Sequence, residues 1–188
     1  FINTGNYKTG AQAAQLGDYY AACMQEHMGS EVTALFGPAY KGIPLVVAAS
    51  SSLYRNYNRD MPYCFNRKEV KDHGEGGMFV GKKLTDGEKV VIIEDVMTSG
   101  KAMAEVYPKL KGAADVDITG MIITVDRMER ALEGTQSAVQ AVYEKYGVPV
   151  YAIVTMEDII QGIRDGVIPG KEHLDAMLAY REQYGVSK

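Results

Sequence analysis

The run Val90-Val91-Ile92-Ile93 is apolar at four consecutive positions and passes straight into Glu94 and Asp95. A half-exposed strand alternates apolar and polar residues, so an unbroken apolar run ending in charge describes a strand covered on both faces. The segments 33–37, 62–66, 118–126 and 150–155 are likewise short and rich in Val, Ile, Leu or aromatic residues, and 90–95 is the third of the five in chain order. Apolar residues at three- and four-residue spacing predict helices over 9–26, 43–57, 98–111, 135–146, 157–165 and 171–184. Strand and helix in alternation require crossover connections, which are right-handed. The expected architecture is a doubly wound α/β sheet of five mainly parallel strands flanked by helices. A length of 188 residues suits a single domain, 1–188, and no repeat or linker divides it.

The formal net charge of −4 argues against nucleic-acid binding, which needs a basic face. It leaves room for a small anion held by a few cations and backbone amides. Cys23 and Cys64 are far apart and have no metal-ligand spacing, so they are expected to be buried thiols in a reducing compartment. No apolar run approaches the roughly 18 residues of a membrane span, and no secretory leader is visible. The chain is therefore expected to be cytoplasmic. It opens at Phe1 without a Met, and an upstream segment is expected.

Ligands of doubly wound sheets bind outside the carboxyl ends of the strands, so the residues that follow each strand matter most. After the third strand come Glu94, Asp95, Val96, Met97, Thr98, Ser99, Gly100, Lys101 and Ala102. Backbone N–H groups at a helix start form an anion nest, hydroxyls of Thr98 and Ser99 add donors, and Gly100 admits close approach. The two acids suit sugar hydroxyls or the water shell of Mg²⁺ rather than the anion itself. The plainer alternative is an acidic strand end and a helix capped by Thr98.

After the first strand, Gly37, Pro38, Gly42 and Pro44 demand a tightly specified turn around Tyr40 and Lys41. Lys41 suits either a diphosphate or solvent. After the second strand, 65–77 mixes Arg67, Lys68, Lys71 and His73 with acids and glycines, as a loop that closes over an anion or as a solvated hairpin tip. After the fourth strand, Arg127 suits a planar carboxylate, or a surface pair with a nearby Glu.

The string 90–102 resembles the phosphoribosyl pyrophosphate signature of type I phosphoribosyltransferases, with Glu94 where that family mostly has Asp. The stretches 35–44 and 65–77, together with Arg127, resemble the orotate phosphoribosyltransferase branch, and the likeness runs from Phe1 to Val186. The resemblance implies the type I phosphoribosyltransferase fold, with an N-terminal hood segment that is incomplete here. It implies Mg²⁺-dependent transfer of phosphoribosyl from phosphoribosyl pyrophosphate to orotate, in pyrimidine synthesis. By the same likeness 98–102 hold the 5′-phosphate within a binding stretch 94–102, and Glu94 and Asp95 hold ribose hydroxyls. The magnesium is held mainly by substrate and water, with those two acids behind it. Tyr40 and Lys41 bind the diphosphate, and Arg67, Lys68, Lys71 and His73 are catalytic. Phe1, Ile2, Thr98 and Arg127 border orotate. The family is homodimeric and shares the catalytic loop between subunits. Two rivals remain open: a phosphoribosyltransferase for another base such as a purine, which would not need Arg127, and a regulator that binds phosphoribosyl pyrophosphate without turnover.

Overall fold

The computed structural model describes residues 6–71, 77–97, 100–131 and 135–186, with the backbone alone at Val70 and Lys71. Its centre is a sheet of strands β1 (Ala34–Gly37), β2 (Tyr63–Lys71), β3 (Gly77–Gly81), β4 (Lys89–Val96), β5 (Asp117–Asp126) and β6 (Val150–Thr155). Their spatial order is β3-β2-β1-β4-β5-β6. All neighbours run parallel except β2 and β3, which form an antiparallel pair.

The expected doubly wound sheet is present, with six strands rather than five. The additional strand is β3, and β2 continues past Asn66 to Lys71. Its sequence, Gly-Met-Phe-Val-Gly, offers a short apolar stretch between glycines, and β3 lies at the sheet edge, where a strand needs only one partner.

Helices α1 (Gly10–His27) and α2 (Gly42–Tyr57) cover one face, and α3 (Lys101–Ala113) and α4 (Ala138–Tyr146) the other. The alternation of side chains along each strand divides the core. Leu35, Val91, Ile93 and Ile122 pack with Tyr20, Met24, Leu45 and Leu53, whereas Phe36, Val90, Ile92, Met121 and Ile123 pack with Met103, Leu110 and Val142. Two short helices, α5 (Met156–Arg164) and α6 (Leu174–Tyr184), follow β6.

The helix starts have local causes. Thr9 with Gln12, Ser137 with Gln140 and Thr155 with Asp158 form capping boxes, each satisfying two backbone donors. The helix expected over 98–111 begins in the structure at Lys101, behind Gly100 in the left-handed region (φ 71°). Cys23 and Cys64 are buried free thiols, and burial pushes them up to about 11 and about 12. No helix among the described residues is long and apolar enough to cross a membrane.

Candidate functional site at the switch point of the sheet

From β1 the chain winds to β2 on one side, and from β4 to β5 on the other, so the sheet reverses direction between β1 and β4. A crevice opens outside the carboxyl ends at such a point. The two strand ends there are Gly37 and the pair Glu94-Asp95.

The loop after β1 is folded too tightly for side chains at its glycines. A Cβ on Gly37 would lie 2.3 Å from the Gly42 carbonyl oxygen, and one on Gly42 would lie 2.7 Å from Pro38 Cδ. The Ala39–Tyr40 peptide in this loop is cis. Asn66, buried at the middle of β2, accepts the Ala39 N–H at 3.0 Å and fixes the loop to the neighbouring strand. The loop delivers Lys41, whose Nζ lies 2.9 Å from Asp95 Oδ2. This ion pair spans the crevice from β1 to β4.

Glu94 and Asp95 are only 8% and 6% exposed. Continuing the alternation of β4, Asp95 faces the side of α1 and α2, where Lys41 meets it, and Glu94 faces the side of α3. Glu94 Oε1 turns back to accept the Asp95 N–H at 3.0 Å, and Asp95 Oδ1 accepts the Val96 N–H at 2.7 Å. Burial pushes the Glu94 carboxyl up to about 7; the Asp95 N–H and Lys41 oppose this, and the charge of Asp95 adds to it. Beneath the acids, the Tyr20 hydroxyl lies 2.6 Å from both the Glu94 carbonyl oxygen and Thr124 Oγ1, tying β4 and β5 to α1. Burial pushes this phenol strongly upward, so it remains a neutral hydrogen-bonding group.

The expected charged loop is largely strand. Arg67 and Lys68 lie within β2, in the stretch between Asn66 and Lys71 where the pairing with β3 shifts register. Lys68 Nζ sits 4.7 Å from the Tyr40 ring centroid, above the β1–α2 loop. Arg67 donates to the Gly77 carbonyl across the hairpin at 3.2 Å.

Past β5, Arg127 lies beside a cavity of about 520 Å³ lined by Val96, Val125, Met156, Met177 and Tyr180 among others. Its Nε lies 3.3 Å from Glu129 Oε1, and the two side chains are 17% and 14% exposed. The pair anticipated as a surface contact is thus present but largely enclosed. Asp126 accepts the Met128 N–H at 2.8 Å, and burial raises its carboxyl above the ordinary range.

The fold therefore gathers Tyr40, Lys41, Lys68, Glu94 and Asp95 at the switch point, with Arg127 and Val96 on the cavity beside it. Phe1, Ile2, His73, Thr98 and Ser99 lie outside the described residues, and of Lys71 only the backbone is described. Met97 is buried at the end of β4, and Lys101 and Ala102 open α3 behind Gly100. Two participants escaped the sequence reading. Asn66 had only its place at a strand end as a signal and Tyr20 only its helical spacing, while Glu129 was expected only as a surface partner of Arg127.

Two adjacent carboxylates form an all-oxygen donor set, and no group of three or more potential metal ligands occurs among the described residues. Such a pair fits a magnesium ion that keeps waters and the oxygens of an anionic substrate.

Residues 3–149 match the family described as the phosphoribosyl transferase domain. Orotate phosphoribosyltransferase of Lachnoclostridium phytofermentans is 47% identical over 191 residues, covering 99% of this chain and 84% of the relative. That of Clostridium beijerinckii is also 47% identical, over 193 residues, covering 98% and 84%. The crystal structure of orotate phosphoribosyltransferase from Francisella tularensis superposes with a TM-score of 0.82 at 40% identity, over 98% of this chain and 86% of that one.

Proposed function

The chain belongs to the orotate phosphoribosyltransferase family, and from that membership we propose how its residues divide the work. Its reaction is transfer of the phosphoribosyl group from phosphoribosyl pyrophosphate to orotate in pyrimidine synthesis. The ring nitrogen of the orotate anion forms a bond to the anomeric carbon, while the bond from that carbon to the diphosphate breaks and its electron pair leaves with the diphosphate. Negative charge grows on the leaving group, so fixed cations there lower the barrier most.

Lys41 and Lys68 flank the β1–α2 loop and are the cations for the diphosphate. Lys41 is held ready by Asp95 at 2.9 Å. Glu94 and Asp95 accept the ribose hydroxyls, and Thr98, Ser99, Gly100, Lys101 and Ala102 hold the 5′-phosphate, within a binding stretch that includes Val96 and Met97. A magnesium ion carried by the diphosphate and backed by Glu94 and Asp95 would neutralise charge on the leaving group. Arg127 takes the orotate carboxylate, with Thr98, Phe1 and Ile2 on the same substrate. Catalysis by such a set is positioning and electrostatics, because orotate arrives with its nitrogen readily deprotonated.

A shared catalytic loop has a geometric rationale. Lys68 reaches the Tyr40 ring of its own β1–α2 loop, whereas Arg67 turns to the Gly77 carbonyl of its own hairpin. Lys68 serves its own protomer, and Arg67, with Lys71 and His73, is assigned to the site of a second copy in a homodimer. We propose a cytoplasmic location, in keeping with the lack among the described residues of a helix long and apolar enough to cross a membrane.

The observation that carries the base assignment is the position of Arg127 on a mainly apolar cavity that also touches Val96 of the acid motif. A neutral purine would not need that cation; a carboxylated pyrimidine does. The test is an absorbance assay of orotate consumption with phosphoribosyl pyrophosphate and Mg²⁺. Loss that requires all three components is the expected result. No loss, with phosphoribosyl pyrophosphate still bound, would discard orotate in favour of another base or a regulatory role.

A further inference from the structure

Helix α6 contributes no fully buried residue, yet its face Met177 and Tyr180 lines the cavity beside Arg127. One carboxylate oxygen joins them. Glu129 Oε1 accepts the Tyr180 hydroxyl at 2.9 Å and lies 3.3 Å from Arg127 Nε. The chain around this contact is fastened at both ends. Arg130 N–H donates to the Tyr184 carbonyl at 2.9 Å, and Val186 N–H donates to the Met128 carbonyl at 3.0 Å. Arg130 also reaches the Gln183 carbonyl through its guanidinium. The Tyr180 ring packs on Tyr184 with centroids 4.6 Å apart, and Arg181 of α6 lies 3.7 Å from Glu157 of α5.

We infer that Glu129 and Tyr180 are positioning residues of the base site, a two-step relay by which α6 sets the place of the Arg127 guanidinium opposite a substrate carboxylate. The inference rests on the reading of Arg127 as the orotate-recognising group. Arg127 Nε is buried against Glu129 as a charge contact at 3.3 Å that lacks hydrogen-bond alignment, so the carboxylate fixes where the guanidinium sits in the cavity by ion pairing. A planar guanidinium recognises a carboxylate bidentately only when it sits in the right place, because such pairing is geometrically demanding. An enclosed Glu that faces Arg127 without a second donor could rotate; the Tyr180 hydroxyl supplies that donor. Burial and the Glu129 acceptor hold the Tyr180 phenol above its ordinary range, so it remains protonated and donating at neutral pH. The relay makes the C-terminal helix a determinant of which base is accepted.

The test is steady-state kinetics on the full chain, with KM for orotate and KM for phosphoribosyl pyrophosphate measured separately. Tyr180→Phe keeps the ring on Tyr184 and removes only the hydroxyl. It should raise the orotate KM about tenfold, as loss of an orienting partner behind a ligand contact typically does. The KM for phosphoribosyl pyrophosphate and the melting temperature should hardly move. In a Glu129→Gln background, Tyr180→Phe should add little, since the two act through one contact. A Tyr180→Phe enzyme with unchanged orotate KM, or with both KM values raised equally, overturns the relay and leaves Tyr180 as packing. Arg127→Gln separates the two readings. If it raises the orotate KM while Tyr180→Phe does not, only the relay fails; if Arg127→Gln leaves it unchanged, the base-site reading fails and the relay with it.

Discussion

Glu94 stands at the end of β4 with its carboxyl 8% exposed as a residue and pushed up to about 7, against an ordinary value of 4.5. The folded chain therefore holds a proton that the unfolded chain has already released between those two values. Its contribution to stability is complete below about 4.5 and is lost as pH rises through about 7. Glu94→Gln should flatten that part of the stability–pH profile, which urea unfolding at a series of pH values reads directly. A slope unchanged by the substitution would show that another group carries it. At the same scale, Arg67→Ala and Lys68→Ala should each lower kcat by about 10²–10³-fold, the usual effect of removing a donor from developing negative charge. Their KM for orotate should change little, because neither is assigned to the base. Mixing inactive Arg67→Ala with inactive Lys68→Ala protein should restore part of the activity if the two cations serve different protomers. No recovery in a mixture that exchanges subunits would contradict that division.

At the scale of elements, glycines separate packing that is required from packing that is not. Gly17 of α1 lies where a Cβ would meet the Ala48 carbonyl oxygen of α2 at 2.6 Å, a backbone atom that cannot swing away. Gly17→Ala should cost about 1–3 kcal/mol despite the better helix propensity of Ala. Gly112 of α3 has nothing within 4 Å of such a Cβ, and Gly112→Ala should stabilise by about 0.5–1 kcal/mol. Thermal melts of the two variants check both signs. The strands buried on both faces were legible because Val90 to Ile93 and Met121 to Ile123 are continuous apolar runs, and only a doubly covered strand needs them. The hairpin β2–β3 was not fully legible. Its charged residues Arg67, Lys68 and Glu69 follow no apolar period, and they lie in the irregular stretch between the Asn66–Phe79 and Lys71–Gly77 pairs that hold the hairpin, a tertiary event. Lys41, Glu94, Asp95 and Arg127 stood out as charges following buried strands, but the choice between a site and a plain structural role came from the family resemblance. The contacts that orient them, Asn66 to Ala39 and Tyr180 to Glu129, join residues 27 and 51 positions apart and leave no local pattern to find.

For the whole molecule, the strand order β3-β2-β1-β4-β5-β6 decides where the chemistry lies, because it puts the direction change between β1 and β4. The two halves of the proposed phosphoribosyl pyrophosphate site come from those two strands, and Lys41 and Asp95 close the gap between them at 2.9 Å. Removing that link tests the placement most directly. Calorimetric titration of phosphoribosyl pyrophosphate with Mg²⁺ into the wild type and into Lys41→Ala should show binding weakened about 10- to 100-fold in the variant, the worth of one charged hydrogen-bonding contact. Equal affinity in the two proteins would contradict a phosphoribosyl pyrophosphate site at this switch point.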